Sequence, residues 1–301
     1  PETKEEMIEL INSSGTGVMG YSDKIVPLDK MLYRLRDVTA TVQNIPLIAS
    51  SIMSKKLAVY ADGIILDVKV GNGAFMKTYK DACELADVMI DIGKQFGRKI
   101  IAVLTDMDQP LGNAVGNSLE IVEAIETLKG RGPEDFTKLI EMIAAVGLVQ
   151  KGDAESIEKG IDKVREMIAG GRPLEMLKKF IKGCDGDERI VDDYTLLPQA
   201  KYVKEVYSES EGFISRIEAE EIGKAAMILG AGRAKKEDEI DHSVGVIILK
   251  KIGDFVKKGE VIAKVHYNSA DFINLSLDLI FGAVKISGNK AEKREVIVGI
   301  R

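Results

Sequence analysis

Two apolar runs held apart by one amphipathic stretch fix most of what this chain can become. Gly63–Val70 (GIILDVKV) reads as a buried strand, Tyr79–Phe96 as a helix closed by Gly97, and Lys99–Thr105 (KIIAVLT) as a second strand. Strands joined through a helix of that length cannot form a tight hairpin; they lie parallel, in a βαβ unit. A parallel sheet must be covered on both faces, because its strands are apolar on both sides. Helical patterns at Ser118–Leu128, Pro133–Val149, Ser156–Ala169 and Leu174–Ile181 can supply that cover. The expected fold class is therefore α/β, a mixed, largely parallel sheet with covering helices.

The flanks differ in character. Upstream, residues 3–11 read as a short helix ended by Asn12-Ser13-Ser14-Gly15, Gly17–Tyr21 as a short strand, and 28–36 as helical. A clearer helix runs over Ile45–Tyr60, with Asn44 as its cap and Pro46 in the first turn, where a missing N–H costs little. Ile45, Ile48, Ala49, Ile52 and Val59 form its apolar face. Beyond about Lys201, and clearly from Gly212, short strands and turns dominate: GFISRIEA, GVIILKKIG, EVIAKVHYN, FGAVKISG and EVIVGI. Helices near Glu220–Leu229 and Ser269–Leu279 make this an α+β region. The expected units are a partial helical domain at 1–60, a central α/β domain at 61–205 and an α+β domain at 206–301. The full 301 residues suffice for two or three such domains.

Charge and cysteine content narrow the function classes. A net charge of -6 gives no electrostatic case for nucleic acid or an anionic membrane. No apolar run is long enough to span a bilayer, and the acidic PETKEEMIEL start is no signal peptide. Cys83 falls in a helical pattern and Cys184 in a Gly/Asp loop, which fits a reducing, cytoplasmic setting. The two histidines, His242 and His266, both come late, so a histidine-based metal site or triad is hard to build. Opening on Pro1 without a Met points to an incomplete or processed chain.

Three places could carry chemistry. Gly15-x-Gly17-x-x-Gly20 imitates a dinucleotide fingerprint, but it follows a helix and leads into Ser22-Asp23-Lys24, so a turn and short strand are the better reading. Ser51 and Lys55 are four apart on one helix face, bordering the apolar stripe, and Arg36 approaches from the preceding segment. Two cations and a hydroxyl suit a planar, carbonyl-rich ligand that gains negative charge as it leaves. The same residues also read as a solvated Lys55-Lys56 pair and a structural Arg36–Asp37 region, and spacing alone favours that. The third place is the loop Thr105–Glu123 at the C-terminal end of the second strand, where open α/β sheets bind ligands. Its exposed carbonyls with Glu123 could hold a hard cation, potassium or calcium. The competing reading is a plain loop capped by Asn117 or Ser118, and Asp106 with Asp108 is weak evidence for magnesium.

Three long motifs, in order along the chain, carry a resemblance. YRLRDVTATVQNIPLIASSIMSKKLA (33–58), DGIILDVKVGNGAFMKT (62–78) and LTDMDQPLGNAVGNSLEI (104–121) closely resemble the pyrimidine-nucleoside and thymidine phosphorylases. KIGDFVKKGEVIAKV resembles the biotinyl/lipoyl-like hammerhead domain those enzymes carry, without the Met-Lys-Met that a carrier would need. The resemblance implies reversible phosphorolysis of uridine, thymidine or deoxyuridine, with inorganic phosphate as co-substrate, giving free base and a pentose 1-phosphate. It implies that Arg36, Ser51 and Lys55 hold the pyrimidine. It also implies a cation at backbone groups of Leu111 and Ala114 and the Glu123 carboxylate, and a homodimer.

Members of that family carry a Lys-His-Ser segment and a Gly-rich phosphate loop upstream of where the match begins. The expectation is that this chain supplies the base-binding half, that a second polypeptide or further sequence supplies the rest, and that these residues alone show no useful turnover. The alternatives are an inactive base- or partner-binding remnant and a nucleoside-monophosphate phosphorylase. Anthranilate phosphoribosyltransferases share the architecture, but need a pyrophosphate-binding segment not visible here.

Overall fold

The computed structural model describes residues 3–18, 26–39, 41, 44–59, 61–233, 235 and 237–301. Three helices come first: α1 (Lys4–Ser14), α2 (Pro27–Val38) and α3 (Ile45–Ala58). The central part follows as β1 (Gly63–Val70), α4 (Tyr79–Gln95), β2 (Lys99–Asp106), β3 (Ala114–Val115), α5 (Asn117–Leu128), α6 (Glu134–Lys151), α7 (Ile157–Ala169) and α8 (Arg172–Gly183). Then come β4 (Tyr202–Tyr207), β5 (Gly212–Ile217), α9 (Ala219–Ala226), β6 (Gly245–Ile248), β7 (Phe255–Val256), β8 (Val261–Tyr267), α10 (Ile273–Ala283), β9 (Val284–Ser287) and β10 (Ile297–Ile300).

The βαβ expectation holds. β1 and β2 pair parallel, from Gly63 opposite Lys99 to Val70 opposite Asp106. On β1 the even positions Ile64, Leu66, Val68 and Val70 are buried, against the Ala82, Leu85, Ala86 and Met89 stripe of α4. Spacings of three and four put that stripe on one helix face. Gly93 lets the helix lie close, since a Cβ there would stand 1.9 Å from Ile100 Cδ1. The odd face of β1 meets α6, where Gly147 faces Ile65.

β10 is the third strand of this sheet, antiparallel to β2. The sequence reading placed EVIVGI with the 206–301 unit, but its backbone partners lie in the central sheet. The remaining strands form two antiparallel sheets, β3-β6-β8-β4 and β7-β5-β9. Their core is aliphatic: Ile214, Ile217, Ile222, Val246, Ile248, Val265 and Ile280 are among its buried members. β3, two residues from the loop after β2, pairs with β6 and so stitches the C-terminal unit to the central one.

Several local readings meet the structure directly. Asn44 caps α3, its Oδ1 accepting from Leu47 N–H at 3.2 Å. Ile48 and Ala49 are buried as expected, whereas Val59 lies beyond the helix and is exposed. The residues 17–18 are not strand, and 19–21 lie outside the described residues. Gly15 closes α1 in a left-handed conformation, its N–H bonded to Ile11 carbonyl, so the first glycine of the apparent fingerprint ends a helix instead of opening one. Gly20 lies outside the described residues. The cap of α5 is Gly116, with neither Asn117 nor Ser118 bonding as a cap. Its N–H instead reaches Glu120 Oε1 at 2.9 Å. Cys83 is buried and Cys184 exposed, and both are free thiols.

A charged clamp fixes the segment after α8. Glu126 accepts from Arg131 Nε and Nη2 at 2.7 and 2.8 Å and from the Tyr194 hydroxyl, while Lys129 Nζ donates to Tyr194 and to the Val191 carbonyl. Arg131, then the Tyr194 hydroxyl, holds the Glu126 carboxyl down at about 2; burial, then Glu126, pushes Tyr194 up to about 12. A carboxylate depressed in the fold contributes stability above its unfolded pKa and loses it as pH falls through the folded one. Stability is therefore expected to decline between about pH 5 and 2. Glu126→Gln should flatten that acid limb in urea titrations, and an unchanged limb would remove Glu126 from it.

Candidate functional site

The α2–α3 junction gathers the residues singled out by spacing. Ser51 and Lys55 project from one face of α3, and the Lys55 ammonium donates to Ser51 Oγ at 2.8 Å. The same ammonium pairs with Asp29 of the first turn of α2 at 2.7 Å, each side chain 15% exposed. Arg36, from the last turn of α2, is buried and its guanidinium donates to the Leu47 carbonyl at 3.1 Å. Leu47 is one turn before Ser51 on α3, so Arg36, Ser51 and Lys55 come to the same side of that helix. A buried guanidinium and a half-buried ammonium near a hydroxyl form a donor-rich, positively biased surface for carbonyl oxygens.

Asp29 was not legible in the sequence. It is 26 positions from Lys55, and only the packing of α2 on α3 brings it there. Its physical role is to compensate an ammonium that would otherwise be poorly solvated.

A cavity of about 700 Å³ opens on the neighbouring face of α3. Ile48, Ile52 and Lys56 line it from the helix, with Asp67 and Lys69 of β1 and Lys77 opposite. Lys55 and Lys56, adjacent in sequence, thus face different surroundings. The cavity lies at the C-terminal end of β1, where the chain turns through Gly71 at φ 127°. Its charges are largely answered: Lys69 pairs with Asp67 at 2.7 Å, Asp67 accepts from Thr105 at 2.5 Å, and Lys77 donates to the Asn72 carbonyl at 2.6 Å. Arg36, Ser51 and Lys55 are not among its walls.

The loop after β2 has its own order. Asp106 is bound by Arg294 through both oxygens, at 2.6 and 3.0 Å, and Asp108 by the same guanidinium at 2.6 Å. That ion cluster accounts for the two acids. Glu123 of α5 bends back to the loop, its Oε2 accepting from Asn113 N–H at 2.8 Å and Ala114 N–H at 3.1 Å. Burial pushes the Glu123 carboxyl up despite those two bonds. Gly112 is needed here, because a Cβ would stand 2.1 Å from Glu123 Oε1. Asn113 carbonyl accepts from Ile248 of β6, so on the intervening residue, Ala114, the backbone groups face away from β6 and toward Glu123. Among the described residues no three His, Cys, Asp or Glu side chains converge as a metal-ligating group.

Known sequences bear on these places. Residues 1–174 match the model of the glycosyl transferase family, a/b domain. Residues 213–287 match the pyrimidine nucleoside phosphorylase C-terminal domain. A pyrimidine-nucleoside phosphorylase of Bacillus subtilis (strain 168) is 52% identical over 266 residues, covering 88% of this chain and 61% of the relative. Proteins of the same name from Staphylococcus haemolyticus (strain JCSC1435) and Geobacillus stearothermophilus are each 50% identical, with the same shares covered. The chain thus spans about three fifths of the length of these relatives, 61%.

Proposed function

Because this chain belongs to the glycosyl transferase family, among the pyrimidine-nucleoside phosphorylases, we propose that it takes part in the reversible phosphorolysis of uridine, thymidine or deoxyuridine. Phosphate attacks C1′, the glycosidic bond breaks, and the base leaves with the electron pair as an anion. The observation that carries the reading is the Lys55–Ser51 pair on α3, with Arg36 on the same side. In this reading Arg36 and Lys55 stabilise charge gathering on the base carbonyls, and Ser51 fixes the ring through its amide edge. Such groups act because they already point where charge develops, in a site poor in water.

Phosphate is the co-substrate, and its binding groups are supplied by sequence outside this match, in the same or a second polypeptide. The active form is a homodimer in the cytoplasm. No helix among the described residues is long and apolar enough to cross a membrane. A potassium or calcium ion would be held by backbone groups of Leu111 and Ala114 with the Glu123 carboxylate. The fit rests on a half-buried carboxylate that burial pushes toward protonation, which a nearby cation would relieve. When bound, the ion would neutralise Glu123 and stiffen the loop; the chain's own N–H groups at Asn113 and Ala114 orient the carboxylate.

The test is uracil binding by calorimetry, together with uracil release from uridine and from uridine 5′-monophosphate, with and without phosphate. The expected result is that the chain binds uracil, and that release requires phosphate and the remaining family sequence. Preference for the monophosphate would favour the nucleoside-monophosphate reading, to which Lys56 in the cavity would contribute. A chain that neither binds uracil nor releases it under any of these conditions would sink the assignment.

A further inference from the structure

The end of β6 and the segment joining it to β7 reach across to the loop after β2 at three points. Ile248 N–H bonds the Asn113 carbonyl at 2.7 Å, and Ile252 N–H bonds the buried Gln109 Oε1 at 2.9 Å. Between them stands Lys251. Its ammonium donates to the carbonyl of Pro110 at 2.5 Å and to that of Gly112, and it pairs with Asp135 Oδ2 at 3.0 Å. Asp135 in turn accepts from Gly112 N–H at 3.3 Å. Lys251 and Asp135 side chains are each 20% exposed, so the contact is largely withdrawn from water.

Two backbone carbonyls and one carboxylate around a single positive charge are oxygen ligands of the kind that hold a hard cation. An ammonium offers three N–H donors, and here two carbonyl oxygens receive hydrogen bonds while the Asp135 carboxylate pairs with the charge. We propose that Pro110, Gly112 and Asp135 form a cation site which the chain fills with its own ammonium, Lys251, and that this tethered cation holds the 107–113 loop in shape and locks the C-terminal unit to it. A tethered charge needs no salt in solution and gives up less translational freedom on binding than a free ion does. Gly112 supports the arrangement, since its φ of 66° turns one carbonyl into the cage while its N–H goes to Asp135. Lys251 also offsets the neighbouring Glu123, whose proton affinity its charge reduces. The site lies beside the Leu111, Ala114 and Glu123 position, shares none of its ligands and does not depend on any catalytic role.

The experiment is thermal unfolding of the unmodified chain and of Lys251→Met, in potassium chloride and in choline chloride at equal ionic strength. Methionine keeps most of the stem and removes the charge. In choline the variant is expected to melt about 5 °C lower than the unmodified chain, from the loss of a charged donor facing half-buried acceptors. In potassium it should recover at least half of that loss, because the vacated oxygens accept a free ion. Both chains, unmodified and modified at position 251, carry Glu123→Gln in this comparison, so that potassium at the neighbouring Glu123 position, whose charge Lys251 offsets, cannot produce the difference. A variant that melts with the unmodified chain, or that gains no more from potassium than the unmodified chain does, would overturn the proposal. Should Lys251→Met not fold, acylation of the unmodified chain followed by mass spectrometry decides. Lys251 should react far more slowly than Lys94 and Lys151, whose side chains are 69% and 74% exposed. Equal labelling would equally overturn it.

Discussion

Gly116→Ala is expected to lower the melting temperature by about 5 °C, from a loss of roughly 3–4 kcal/mol. Two effects add. Gly116 has a φ of 144°, a backbone conformation that a Cβ disfavours. A Cβ there would also stand 2.4 Å from the Val244 carbonyl oxygen and 2.9 Å from Gly245 Cα. Those are backbone atoms of the strand partner, which cannot swing aside as a side-chain end can. Gly245 is the mirror of the problem, its Cβ falling 2.3 Å from the Val115 carbonyl oxygen at φ 158°. The two glycines let β3 and β6 approach where the central and C-terminal units meet. Gly130→Ala is the control: φ is 75°, but the nearest atom is 3.8 Å away, so only backbone strain of about 1 kcal/mol is expected. Circular dichroism melts of both variants decide. Equal losses would mean that the close approach contributes nothing beyond the dihedral.

The second large effect is chemical. On the proposed phosphorolysis reading, Lys55→Met in an active form is expected to lower kcat/KM for uridine by about 10²- to 10³-fold, the usual consequence of deleting one donor aimed at developing charge. The loss should fall mainly on kcat, because the base carbonyls carry more charge in the transition state than in the bound nucleoside. Ser51→Ala, which removes a neutral hydrogen bond, should cost about tenfold. Asp29→Asn tests the pair differently, since it leaves the ammonium in place and removes its compensation. Melting curves must accompany the kinetics, because deleting Lys55 leaves the Asp29 carboxylate half-buried and unmatched. A Lys55→Met enzyme within threefold of the parent would end the base-binding role assigned to this residue.

What the sequence disclosed follows from the range of the physics involved. β1, α4 and β2 are written in short-period hydrophobicity, and their register needs only neighbouring turns. The α3 cap is equally local, one side chain and one N–H three positions on. That Ser51 and Lys55 share a face follows from helical spacing alone, whereas spacing favoured no role for them and the base-binding reading came with the family resemblance. Asp29 was missed because nothing within a few residues predicts that α2 will lie against α3. β3 and β7 are two residues each, too short to show a period, and exist only because a partner strand is present. The same holds for Lys251, an ordinary surface lysine in the sequence whose three oxygen partners come from Pro110, Gly112 and Asp135. Val59 shows the opposite error, an apolar residue at the right angle but past the end of its helix.

The position of β10 has a consequence for the order in which the molecule can assemble. Ile297 lies opposite Thr105, so the strand that completes the central sheet is separated from its partner by the whole of β4 to β9. The β1-α4-β2 contacts are short-range and can close early, while closing the β2–β10 gap as an open coil would carry a large loop entropy. Prior collapse of the C-terminal unit shortens that gap, since the β6–β7 segment already bonds to the loop after β2. The last strand then behaves as a latch, zipped only after two other bodies exist. Conditions that slow the C-terminal unit should delay the central sheet as well, although the two have separate aliphatic cores.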